Sequence, residues 1–197
     1  MNEVKRDKYF KRAEILGIIF ILATAVFLSG FYKRSGGPLA VLVGSVNGSV
    51  WEGVKIFLVG FIVWGIIEAL CIKPSFKRFV AAKVITLYAA GGAGLIIYAS
   101  VNLIFEEPPS FLLFATAAVL TAIAQFVSFA LYSLQKKAAD YFLPMVFLLV
   151  LAVVMICCFS VFPPYLGIFK DPMFNMYGII PEHIDAGAYV LDTIMFC

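Results

Sequence analysis

Few residues in this chain could do chemistry, and most of them sit together. Asn47-Gly48-Ser49-Val50-Trp51-Glu52-Gly53-Val54-Lys55 places an amide, a hydroxyl, an indole, a carboxylate and an ammonium in a sequence otherwise dominated by hydrocarbon. Read structurally, Ser49-x-x-Glu52 is a capping box: the serine oxygen takes the Glu52 amide proton and the glutamate reaches back to the serine amide. Trp51 then sits where indoles gather, at the bilayer interface. Lys55 either snorkels outward or pairs with Glu52 at i, i+3. Read functionally, Asn47, Glu52 and Lys55 form a ligand or proton site, because an ionisable side chain deep in a bilayer costs at least about 2.5–3.5 kcal/mol and is seldom idle. Neither charge lies deep along its segment, so the structural reading ranks first.

Three further sets belong beside it. Thr121, Gln125, Ser128 and Tyr132 share one helical face, as interhelical hydrogen bonding or, less favoured, as a polar path. Asp171 and Tyr177 fall in the C-terminal tail, where Asp171-Pro172 favours a tight turn. Glu68 lies near the end of the second apolar segment, solvated or paired with Lys73, with functional protonation the less favoured reading. Cys71, Cys157, Cys158 and Cys197 lack C-x-x-C spacing, and the one histidine, His183, is in the tail, so neither a metal site nor a cofactor is expected. No G-x-S-x-G, H-E-x-x-H, Walker or dinucleotide fingerprint is present.

The elements that hold these residues are membrane spans. With 63% hydrophobic and 14% charged residues and a mean hydropathy of +1.01, the chain cannot hide its apolar surface in a water-soluble core, where about half of residues are apolar and a quarter charged. Runs of span length cover approximately 14–32, 50–72, 80–105, 110–134 and 141–162. Ala23-Thr24-Ala25 mimics a signal cleavage site, but the run continues past it, and a retained helix is expected. Lys33-Arg34-Ser35-Gly36-Gly37-Pro38 breaks the first span, and 39–46 is too short to cross, so a short interfacial segment lies between spans one and two. Ala89/Ala93 and Ala90/Gly94, beside Gly91 and Gly92, suit close helix packing in the third span.

Basic residues orient the bundle. A cytoplasmic N-terminus puts eleven Lys and Arg inside, Lys83 among them, and three clearly outside: Lys33, Arg34 and Lys170. The fold class is therefore an all-α integral membrane helix bundle of five transmembrane helices, N-terminus inside, C-terminus outside, with residues 163–197 an extracytoplasmic tail. The expected location is the plasma membrane, and the first partner is the lipid bilayer. Basic residues clustered beside spans, with a net charge of +3, argue against nucleic acid.

Asn47-x-Ser49-x-Trp51-Glu52-x-x-Lys55, together with Phe162-Pro163-Pro164, Phe169-Lys170-Asp171-Pro172 and Tyr177-Gly178-Ile179, resembles a family of small bacterial integral membrane proteins known only as a domain of unknown function. The resemblance covers roughly residues 10–180. This chain departs from the family pattern at Gly48, where an acid is common, and at Gly53, where a histidine follows the glutamate; the second departure argues against a Glu-His metal or proton site. The resemblance implies architecture, not activity.

Three functions follow in order of expectation. The first is binding or transport of a small polar or ionic solute at an outward mouth formed by Asn47, Ser49, Trp51, Glu52, Lys55, Asp171 and Tyr177, with Thr121, Gln125, Ser128 and Tyr132 as its path. Five spans are few for a monomeric carrier, so that version needs a homo-oligomer. The second is a structural or accessory role holding a partner membrane protein, the tail plugging the mouth through a Lys170–Glu52 contact or a Tyr177 hydrogen bond. The third, an enzyme acting on lipid headgroups, needs Glu52 and Asp171 to converge on one cleft.

Overall fold

The computed structural model describes residues 3–105, 108–134 and 141–179. Its elements are helices: α1 (Glu3–Ser29), α2 (Phe31–Ser35), α3 (Pro38–Val43), α4 (Val50–Ile72), α5 (Phe76–Ile104), α6 (Ser110–Leu134), α7 (Phe142–Val161) and a 3₁₀ turn over Gly167–Phe169. Five are long and apolar enough to cross a membrane: Tyr9–Ser29 of α1, then α4, α5, Phe111–Leu134 of α6, and α7. Among the described residues there is no strand, only an isolated bridge between Lys170 and Tyr177.

Breakers set the ends. Gly36 turns left-handed (φ 61°) after α2, and Pro38 opens α3 at a position where its missing N–H is not needed. Lys73 adopts φ 50° at the end of α4, ahead of Pro74, which cannot continue a helix. Lys33 and Arg34, expected in a loop, lie in α2, and Arg34 donates to the Phe27 carbonyl at 2.7 Å. The short segment doubles back onto α1, with the Ser45 N–H donating to the Leu28 carbonyl at 3.2 Å.

α1, α4, α5 and α6 close a ring of four, each packed against two of the others, and α7 lies outside it against α5 and α3. The ring's core is apolar along its middle: Ile21, Phe61, Leu87 and Ala124 form one layer, with Ala25, Leu28 and Ile56 above it and Val54, Tyr98 and Ala117 beside it. Close approach between α4 and α5 falls on glycines. A Cβ on Gly94 would stand 3.3 Å from Val54, and one on Gly91 3.5 Å from Leu58. The facing pair is thus Gly91/Gly94, three apart, within the small-residue run.

One boundary matters for chemistry. α5 begins at Phe76, four residues before the expected start, so Lys83 lies about two turns inside the helix. It is buried in the bundle. The Glu106-Glu107 and Gln135–Asp140 turns and the tail from 180, with His183 and Cys197, lie outside the described residues.

Candidate functional site

At the end of the bundle where α4 starts, the 47–55 motif folds into a closed network. Ser49 caps α4, its hydroxyl accepting from the Glu52 N–H at 3.3 Å. The reciprocal half of the capping box is not made. The Ser49 N–H goes instead to Asn47 Oδ1 at 2.9 Å, and Glu52 Oε2 accepts from the Val46 N–H at 2.9 Å. The same oxygen pairs with the Lys55 ammonium at 2.7 Å.

Lys55 does not snorkel. It is 0% exposed, and its ammonium also donates to Ser160 Oγ at 3.0 Å and to the Val41 carbonyl at 3.2 Å. Its three donors therefore tie α4 to α7 and α3 with none left over. Trp51 turns into the protein. Its ring is buried against Phe159 and Phe169, both at 5.3 Å, and those two rings pack on each other.

The tail docks on this network by other contacts than those expected. Asp171 Oδ2 accepts from the Gly48 N–H at 2.6 Å, and Asn47 Nδ2 donates to the Gly178 carbonyl at 2.8 Å. Asp171 Oδ1 takes the Met173 and Phe174 N–H groups at 2.8 and 3.0 Å, which makes the tight turn. Lys170 has no part in holding Glu52, which Lys55 and Val46 already occupy. The Tyr177 ring meets Tyr165 edge-on at 5.2 Å. Gly178 has φ 74°, a conformation side chains resist, and it lies against Pro163, where a Cβ would stand at 3.4 Å.

Beside the docked tail is a cleft of about 270 Å³ lined by Ser29, Lys33, Ser45, Asn47, Asp171 and Met173. Neither Glu52 nor Lys55 reaches it.

The polar face of α6 divides. Thr121 borders a cavity of about 40 Å³ among Ile21, Val54, Phe61 and Ala124. Gln125 and Ser128 turn to α1: Ser128 Oγ donates to Glu14 Oε1 at 2.7 Å, and Gln125 Nε2 donates to the Glu14 carbonyl at 3.1 Å. Tyr132 faces the α4–α5 turn, where its hydroxyl accepts from the Ser75 N–H at 3.2 Å and Arg78 stacks 4.8 Å from its ring centroid.

Glu14 and Lys83 are the residues that sequence reading missed. Lys83 Nζ stands 3.0 Å from Glu14 Oε2 and 2.5 Å from Glu68 Oε2, with the Phe61, Phe10 and Phe79 rings around it. Glu68 is therefore paired with Lys83, not Lys73. All three side chains are buried. The available signal is a carboxylate at the start of one apolar run and an ammonium near the start of another; from the sequence Lys83 counts only as an inside basic residue, and Glu14 is not singled out. The two charged clusters occupy opposite ends of the bundle: Lys55 and Glu68 are both on α4, about 20 Å apart along its axis.

Among the described residues no three His, Cys, Asp or Glu side chains come together as a metal site requires. No curated protein and no solved structure matches the chain. Over residues 2–179 the sequence matches DUF6512, a family of unknown function, and the chain belongs to it.

Proposed function

We propose that this protein is a non-enzymatic accessory component of the plasma membrane, oriented with its N-terminus inside, that holds a partner membrane protein. The observation that carries this reading is the closure of the motif end. Glu52 and Lys55 are satisfied by protein groups, and layers of apolar core lie between them and the Gln125–Ser128 cluster. A carrier needs a polar route that alternates, and this interior supplies hydrocarbon. An enzyme needs carboxylates with a free face, and Asp171 is taken by three backbone N–H groups.

Helix α7 is the surface we assign to the partner. It is the most apolar span and the least buried in its own bundle, with Leu143 and Phe147 exposed. The test is photo-crosslinking from positions 143 and 147 in native membranes, alongside flux assays on the purified chain in liposomes. Discrete adducts with a second membrane protein, and no flux above protein-free vesicles, are expected. Adducts with lipid alone, or specific solute flux, overturn the reading.

A second reading, binding of a small polar solute, is favoured by the cleft beside Asn47 and Asp171. It would place the solute at the tail's edge rather than on Glu52.

A further inference from the structure

The cluster at the other end of the bundle has an unbalanced charge. Glu14 on α1 and Glu68 on α4 share the single ammonium of Lys83 on α5. One positive and two negative groups leave a net charge of −1. The residues are 3%, 1% and 7% exposed, so water does little to spread it, and a bare buried charge is penalised by several kcal/mol.

Among the described residues no other ion pair reaches either carboxylate, and Lys11 and Arg12 of α1 are exposed. α1 contributes Glu14, α4 contributes Glu68 and the Trp64 indole, and α6 contributes the neutral Gln125, Ser128 and Tyr132. α7 carries no acid or base other than the Cys157 and Cys158 thiols near its far end. Arg78 of α5 is engaged with Tyr132, stacked on its ring and donating to its carbonyl at 2.6 Å. Phe10, fully buried, touches both Tyr132 at 4.5 Å and the Lys83 ammonium at 5.8 Å.

A second observation points to something missing from the cluster. Gln125 is 1% exposed, and its amide is fixed by donation to the Glu14 carbonyl, yet its Oε1 has no donor. The Trp64 indole beside it is the further polar neighbour of the Glu68 carboxylate. Trp64 and Gln125 meet over Gly17, where a Cβ would collide with both. An unpaired buried polar atom costs about 1–3 kcal/mol, and this one belongs to the side chain that also bonds Glu14, beside the excess negative charge.

We propose that this cluster is a binding site for one proton, taken from bulk water onto a carboxylate oxygen of the Glu14–Glu68 pair around Lys83. No other bond changes: carboxylate becomes carboxylic acid, the cluster becomes neutral, and the new O–H is a donor in a place rich in acceptors. A hard metal ion fits less well, because it takes six or more oxygens and Lys83 already occupies the shared position between the carboxylates. The proposal is independent of the accessory role, since a partner-holding protein and a carrier could each use such a site to respond to pH.

The experiment is infrared difference spectroscopy of the full chain in nanodiscs above about pH 6, where exposed Asp and Glu are already ionised. One carboxylic-acid carbonyl band per chain is expected, lost on raising the pH. Glu68→Gln and Glu14→Gln each leave one carboxylate to one ammonium, and each should abolish the band. Glu52→Gln, at the one-to-one pair, should leave it intact. The thermal stability of the wild-type chain should fall across the pH range in which the band disappears, because the bound proton stabilises the folded state, and Glu68→Gln should flatten that dependence.

No pH-dependent band in the wild-type chain overturns the proposal, as does a band that survives both substitutions. Loss of the band on adding sodium at constant pH, with no effect of choline, overturns it in favour of a metal cation. If one variant fails to fold, the wild-type spectrum and the other variant still decide.

Discussion

Replacing Lys55 by Met tests whether the motif is a structural clamp. Methionine keeps the length and bulk of the stem but removes the ammonium and its three contacts, to Glu52 at 2.7 Å, Ser160 at 3.0 Å and Val41 at 3.2 Å. Ser160 keeps its own bond to the Ile156 carbonyl at 2.7 Å, so the loss falls on Glu52. That carboxylate, 2% exposed, is left with the Val46 N–H and no counter-charge. Breaking a buried pair from one side costs about 3–5 kcal/mol, a large part of a total stability of about 5–15 kcal/mol.

Removing both charges should cost less than removing one. In Glu52→Gln/Lys55→Met the glutamine oxygen can still accept from Val46, and no lone charge remains. The double variant is therefore expected to be more stable than Lys55→Met by about 2 kcal/mol or more. Unfolding titrations in mixed micelles, read by tryptophan fluorescence, measure the cycle; Trp51 reports from the site itself. A loss below about 1 kcal/mol for Lys55→Met, or simple additivity in the double variant, refutes the clamp.

Other outcomes follow from single contacts. Gly53→Ala should stabilise the chain by about 0.5–1 kcal/mol in the same titration, because the position is helical and a Cβ there meets nothing within 4 Å. Gly17→Ala should destabilise by about 1–3 kcal/mol, since the methyl group has to displace Trp64 and Gln125. Asp171→Ala removes the acceptor for the Gly48, Met173 and Phe174 N–H groups. It should free the tail, seen as faster proteolytic cleavage after Phe162 with the spans still protected.

The spans and their ends were legible because they are local. Hydrophobic run length, Pro74 and Gly36 as breakers, and Ser49 three residues before Glu52 all act within one or two helical turns. The Glu52–Lys55 pair belongs to the same class: its members are three apart on one helix, and Lys55 needs no distant information to find Glu52. Sequence likewise placed Gln125 and Ser128 on one face of α6.

Only the tertiary structure decided what those residues meet. Lys83 and Glu14 are 69 positions apart, Ser128 and Glu14 are 114 apart, and Gly48 and Asp171 are 123 apart. Helical periodicity says which residues share a face, but not which face of which helix it will oppose; that depends on how five cylinders pack. The start of α5 shows how little separates the two readings. A charge four residues nearer the end of a span would be solvated, and one about two turns inside is buried and must find partners. Thus the sequence determined a five-span bundle with a capped second long helix. Packing brought Lys83 together with Glu14 and Glu68 into a buried cluster whose charges do not balance among the described residues.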